Sequence, residues 1–167
     1  MAIGRWKSVC LNVTDLDTGF DFWSEVLGWT TTRNNWHGWL GYITDPESDN
    51  YMILNNTTTA PVALSAPTCH EANRVHIDIY PNDGMDNAIR DIEAIGGTLK
   101  TAPSLYPRPG TFGDEPPVID WAGMQDPLGN EFCIVEHLTD EQQAAAVASG
   151  ATDDHALRVA AGVATER

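Results

Sequence analysis

The chain has 167 residues, enough for one domain with a real core, and its 42% hydrophobic and 20% charged content is that of a globular protein. Nine basic against 24 acidic residues give a net charge of −15, a surface that repels phosphate backbones and anionic membranes and so argues against nucleic acid or membrane as partners. No apolar run approaches the ~20 residues of a membrane span, Met1 to Val13 carries no apolar signal-peptide core, and three cysteines without paired spacing (Cys10, Cys69, Cys133) suit a reducing cytoplasm.

Trp6 to Val13 alternates and predicts a strand. Asp15 is a good N-cap; Leu16, Phe20, Trp23 and Leu27 then recur at helical spacing until Gly28 stops the helix. Strand-like pieces follow at about 29–34, 37–44 and 50–56, with Asp45-Pro46 and Ser48-Asp49 as turn material. Residues 57–73, rich in Thr, Ala, Pro and Ser, read as a linker. Arg74 to Tyr80 is the next strand. Met85, Ala88, Ile89, Ile92 and Ile95 form one helical face, stopped by Gly96-Gly97. A strand over 98–103 leads into a proline-rich stretch, Pro103 to Pro117, expected as an ordered loop beside a cavity. Strands at about 118–125 and 130–137 close the domain, 1–138. The Ala-rich tail, 139–167, has helical potential around 139–148 and 153–161; surface packing, a dimer contact and fraying all remain open.

Part of this pattern occurs twice. Val9, Leu11, Asp15, Leu27 and Gly28 fall on Ile77, Ile79, Asp83, Ile95 and Gly96 at a constant shift of 68 positions. Asp45-Pro46 with Asn50 is echoed by Asp126-Pro127 with Gly129-Asn130. Two related modules, about 6–56 and 74–138, are therefore expected, with a cavity between their half-sheets.

Strand alternation says what lines that cavity. Val9, Leu11 and Val13 share one face, and Ser8, Cys10 and Asn12 the other. Val75, Ile77 and Ile79 oppose His76, Asp78 and Tyr80; Phe132 and Ile134 oppose Cys133, Val135 and His137. The apolar faces belong under the two helices. The opposite faces, with Trp36, Trp39, Tyr51 and Trp121 on the remaining strands, make a mixed polar and aromatic lining suited to a small molecule. Trp23, by contrast, sits on the apolar face of the first helix and belongs to the core.

The frame V-x-L-x-V-x-D-L-D-x-x-x-x-F-W-x-x-V-L-G at Val9–Gly28, R-V-H-I-D-I at Arg74–Ile79 and D-P-L-G-N-E-F at Asp126–Phe132 resembles the glyoxalase/bleomycin-resistance family of the vicinal oxygen chelate superfamily. The resemblance implies an α+β fold of two βαβββ modules, their mixed sheets curled around a shared cavity, often in a homodimer. Metal-using members take His or Glu ligands from the first and last strand of each module. In this chain those positions fall on Ser8, Ile53, His76 and Cys133, a poor set for a hard, oxygen-liking ion, and Asp78 lies two residues beyond His76. The expectation is accordingly no metal and no cofactor.

Two functions follow. The first is a binding protein that holds a small organic molecule without metal; the acidity would favour a cationic one, although solubility alone explains the charge. The second is a lyase or isomerase of a carbonyl-type metabolite, with His76 as general base and Asp78 or Asp120 orienting it or acting as acid. The sequence leaves open whether the chain is an enzyme. In either case Ser8, Cys10, Asn12, Trp36, Trp39, Tyr51, Tyr80, Trp121 and Cys133 are the expected ligand-binding residues.

Overall fold

In the computed structural model, which describes residues 7–32, 38, 40–58, 76–111 and 115–165, the first helix begins and ends where the sequence punctuates it. The Asp15 carboxylate accepts from the Thr18 N–H at 2.7 Å and opens α1 (Leu16–Leu27), which Gly28 closes at φ 66°. The described residues fall in two compact units, one drawn from Met1–Ala63 and Asp126–Asn130, the other from Leu64–Gln125 and Glu131–Arg167.

In the first unit β1 (Val9–Val13), β2 (Thr30–Thr32), β3 (Leu40–Thr44) and β4 (Tyr51–Asn56) form a mixed sheet in the order β1-β4-β3-β2, with β1 parallel to β4. Phe20 and Trp23 of α1 are buried with Val13, Ile43, Met52 and Leu54, the apolar side of the alternation. Gly41 of β3 lies against α1: a Cβ built there would run into the Phe20 ring at Cζ.

The second unit repeats the plan. Its strands β5 (Asp78–Ile79), β6 (Thr98–Tyr106), β7 (Ile119–Gln125) and β8 (Glu131–His137) run in the order β5-β8-β7-β6, again with a parallel first pair. Helix α2 (Met85–Ala94) packs across β6, β7 and β8 and buries Met85, Ile89 and Ile92. Two four-stranded mixed sheets with four helices, among the described residues, make this an α+β fold.

The doubled Asp-Pro turns share an aspartate that caps the turn. Asp45 accepts from the Glu47 N–H at 2.9 Å, and Asp126 from the Leu128 N–H at 2.9 Å. The aspartate N–H closes each turn onto an asparagine carbonyl, Asp45 N to Asn50 O at 3.0 Å and Asp126 N to Asn130 O at 2.8 Å, the first turn being one residue longer.

One expectation changes. Strand β6 does not stop at Pro103 but runs on to Tyr106, so the proline-rich loop begins later. The reason lies in its place at the sheet edge, where the register against β7 shifts twice, between Leu99 and Thr101 and between Thr101 and Ser104. A proline without an N–H is tolerated there. The tail, for its part, packs onto its own chain. Thr139 and Gln142 form a reciprocal capping box that opens α3 (Asp140–Ser149), and Asp153 caps α4 (Asp154–Ala160). Ala146, Leu157 and Ala161 then join Leu105 and Leu138 in a small buried cluster. The expected linker lies almost wholly outside the described residues.

Candidate functional site

Alternation in the second sheet divides its side chains cleanly. Phe132 and Ile134 of β8 are fully buried on the helix side. Cys133 and Val135 of β8, Ile119 and Trp121 of β7, Tyr106 of β6, and His76 and Asp78 beside them line a pocket of about 400 Å³. The cross-strand register explains the grouping: Asp78 is opposite Cys133, Trp121 is opposite Val135, and Tyr106 is opposite Ile119.

Most of this wall is apolar, and its polar end is concentrated. His76 Nε2 lies 3.1 Å from Asp78 Oδ1, hydrogen-bond distance. Cys133, 1% exposed, has its backbone N–H bonded to Ile77 O at 2.9 Å, which ties β8 to the segment carrying His76 and Asp78. The ligand atoms of His76, Asp78 and Cys133 all lie within 4.8 Å of one another. Asp78, expected on the same face as His76 two residues along, is its immediate neighbour.

The family profile described as a glyoxalase-like domain matches residues 8–135. This chain belongs to that family. Among solved structures the glyoxalase-like domain is similar to a genomically encoded fosfomycin resistance protein, FosX, from Listeria monocytogenes, at 14% identity and TM-score 0.58 over 84% of this chain and 95% of that one. It is also similar to a glyoxalase/bleomycin resistance protein/dioxygenase from Alicyclobacillus acidocaldarius, at 15% identity and TM-score 0.55 over 80% and 91% of the two chains. A family enzyme of the same description from Burkholderia phytofirmans matches at 15% identity and TM-score 0.53, over 79% of this chain and 98% of that one. At such identities the likeness establishes the fold alone. No curated protein sequence matches the chain.

Of the residues expected to form the site, the glyoxalase-like domain brings His76, Asp78, Trp121 and Cys133 together in the second-unit pocket. Tyr80 follows β5 but is 61% exposed and outside the lining. Asp120 is not brought there either. It neighbours Trp121 in β7, so its side chain takes the opposite face, is 0% exposed, and receives Arg158 Nε at 2.9 and 3.0 Å. Arg158 also donates from Nη2 to Asp86 at 2.8 Å. Burial pushes the Asp120 carboxyl up to about 6, against the lowering pull of Arg158. Burial also works against the Arg158 charge, but its bonds and charge pairing with Asp120 and Asp86 prevail and raise it above its ordinary value.

In the first unit, Ser8, Cys10 and Asn12 share the face predicted for them, Cys10 and Asn12 being exposed. Asn12 Oδ1 accepts from Asn55 Nδ2 at 3.0 Å, and the Tyr51 ring meets Tyr42 edge-to-face at 5.8 Å. Trp36 and Trp39 lie outside the described residues. Sequence reasoning missed Tyr106, which lines the pocket because β6 runs on past Pro103, Ile119, which shares the Trp121 face of β7 by alternation, and Arg158, whose tail position gave no sign of burial. Val135 was on the correct face and only its apolar character kept it from being chosen.

The superfamily's metal can be tested against these donors. Ser8 offers a hydroxyl and Ile53 nothing, so the first unit has no firm ligand at the matching positions. The second has an imidazole, a carboxylate and a thiol, too few oxygens for Mg²⁺ or Mn²⁺ but a donor set that a borderline ion accepts.

Proposed function

We propose that this glyoxalase-like domain binds a small organic molecule in the pocket of its second unit. The apolar body of the molecule lies against Trp121, Tyr106, Ile119 and Val135, and its polar group is turned toward His76, Asp78 and Cys133. The observation that carries this reading is the lining itself: about 400 Å³ of mainly apolar wall with three polar side chains converging at one end. The drug-resistance names of its structural neighbours agree with a ligand of drug-like size. A net charge of −15 favours a cationic or neutral molecule over an anion.

The lyase or isomerase alternative has less support, since Asp120, the second candidate acid, is committed to Arg158. The test is a screen of aromatic and cationic compounds by intrinsic tryptophan fluorescence, in the presence of a chelator. Saturable quenching that is lost in Trp121→Phe supports the pocket; saturable quenching unchanged in that variant places the ligand elsewhere. The resemblance also leads us to infer a homodimer, which light scattering on the eluted protein checks.

A further inference from the structure

We propose that His76, Asp78 and Cys133 together bind one thiophilic divalent cation, of the Zn²⁺ or Co²⁺ type, with its remaining coordination position open to the pocket. This deepens the small-molecule reading, because it gives the polar end of the ligand a Lewis-acid partner. It also differs from the superfamily arrangement, which draws on both modules: here one module supplies every donor, and one donor is a thiolate.

Geometry and chemistry converge on it. Parallel pairing sets Asp78 directly beside Cys133 across β5 and β8, and His76 stands one alternation earlier on the same face. Tetrahedral bonds of about 2.0–2.3 Å hold neighbouring donors about 3.3–3.7 Å apart. The His76–Asp78 distance of 3.1 Å is already close to that spacing, and all three donors lie within 4.8 Å, so side-chain rotation closes the set. Imidazole and thiolate favour Zn²⁺ or Co²⁺, whereas Mg²⁺ and Mn²⁺ want oxygens this wall does not supply. Binding releases the Cys133 proton to solvent, leaving a thiolate and a carboxylate to neutralise the ion's two charges. The chain's net charge of −15 assists cation capture.

The test uses full-length protein without a His-tag, stripped by a chelator, dialysed and titrated with Co²⁺ alone. The expected result is one equivalent bound, with a thiolate-to-cobalt charge-transfer band in the near ultraviolet and the visible bands of a four-coordinate ion, both removed by Zn²⁺ but not by excess Mg²⁺. Cys133→Ser should abolish the charge-transfer band, while Cys10→Ser and Cys69→Ser leave it intact. Asp78→Asn, at a side chain 58% exposed and so safe for folding, should weaken Co²⁺ and Zn²⁺ binding by at least about tenfold, as should His76→Gln. No saturable Co²⁺ spectrum, a charge-transfer band that survives Cys133→Ser, or an affinity unchanged in Asp78→Asn would each overturn the assignment. Organic-ligand binding by chelated protein that takes up no Co²⁺ would overturn this inference while leaving the binding function standing. Co²⁺ uptake without any organic ligand would do the reverse.

Discussion

The indole N–H of Trp23 donates to Asp126 Oδ2 at 3.0 Å, so a core side chain is fastened to a turn 103 residues away in sequence. The same carboxylate accepts from the N–H groups of Leu128 and Asn130, at 2.9 and 2.7 Å, and from Asn130 Nδ2 at 2.9 Å. Asp126 is 4% exposed and Trp23 0%, so removing the carboxylate leaves donors buried without water. Asp126→Ala should cost roughly 2–4 kcal/mol, and Trp23→Phe, which loses one bond and some volume, roughly 1–3 kcal/mol. Urea midpoints measure both. An Asp126→Ala protein within error of wild type would show that the turn is not held this way.

Arg158 is the tail's anchor. Its side chain is 5% exposed and that of Asp120 0%, and taking away one member of such a pair strands a charge in the interior. Arg158→Met should destabilise the protein by roughly 3–5 kcal/mol, whereas the double variant Arg158→Met/Asp120→Leu should recover most of that loss. A double variant no better than the single would mean that Arg158 acts through packing alone.

Acidity gives a second handle on this pair. The Asp120 carboxyl titrates near 3.8 when unfolded and about 6 when folded, because burial outweighs the pull of Arg158. Between those values the folded state holds a proton that the unfolded chain has released. Stability from this group is therefore complete below about pH 4 and lost as the pH rises through about 6. The wild-type melting temperature minus that of Asp120→Asn should fall over this interval; a flat difference would contradict the assignment.

Gly41 is a matter of space. A Cβ there runs into Phe20 Cζ, and Phe20 is only 2% exposed, so its ring has little room to withdraw. Gly41→Ala should cost roughly 1–3 kcal/mol, and adding Phe20→Leu should restore part of it. Thermal melts of the single and double variants decide the point; an additive loss would refute the contact.

For the ligand, Trp121 is the residue to vary. Its indole lines the pocket, where aromatic contact is worth roughly 0.5–1.5 kcal/mol beyond area burial. Trp121→Ala should weaken binding of a compound found by screening by about two- to tenfold. An unchanged dissociation constant, measured by calorimetry because the fluorophore is gone, would remove Trp121 from the site.

Much of the fold could be read in advance because short-range chemistry specifies it. The Asp15 cap, the Gly28 stop and the doubled Asp-Pro turn depend on neighbours within a few residues, and alternation needs only a period of two. That was also enough to put His76, Asp78 and Cys133 on one face. Alternation seen one strand at a time did not prevent Asp120 from being grouped with Trp121, although adjacent strand residues face opposite ways. Register was out of reach as well: nothing local says that Asp78 sits beside Cys133, or that β6 runs through Pro103 as far as Tyr106. The Arg158 contact spans 38 residues and depends on where the tail folds back, which no periodicity encodes.

The two faces of β7 have a joint consequence. Sliding that strand by a single residue would push the Asp120 carboxylate into an apolar wall and press the Trp121 indole against a guanidinium, with every other side chain exchanged as well. The ladder to β6 contains two irregularities, whereas the ladder to β8 pairs every residue from Ile119 to Gln125 and holds the phase of β7. Arg158 adds a side-chain lock to that ladder, because Asp120 can meet it in one phase only. The tail is thus a second pin on β7, and the charge pair on one side of the sheet and the pocket wall on the other stand or fall with the same strand phase.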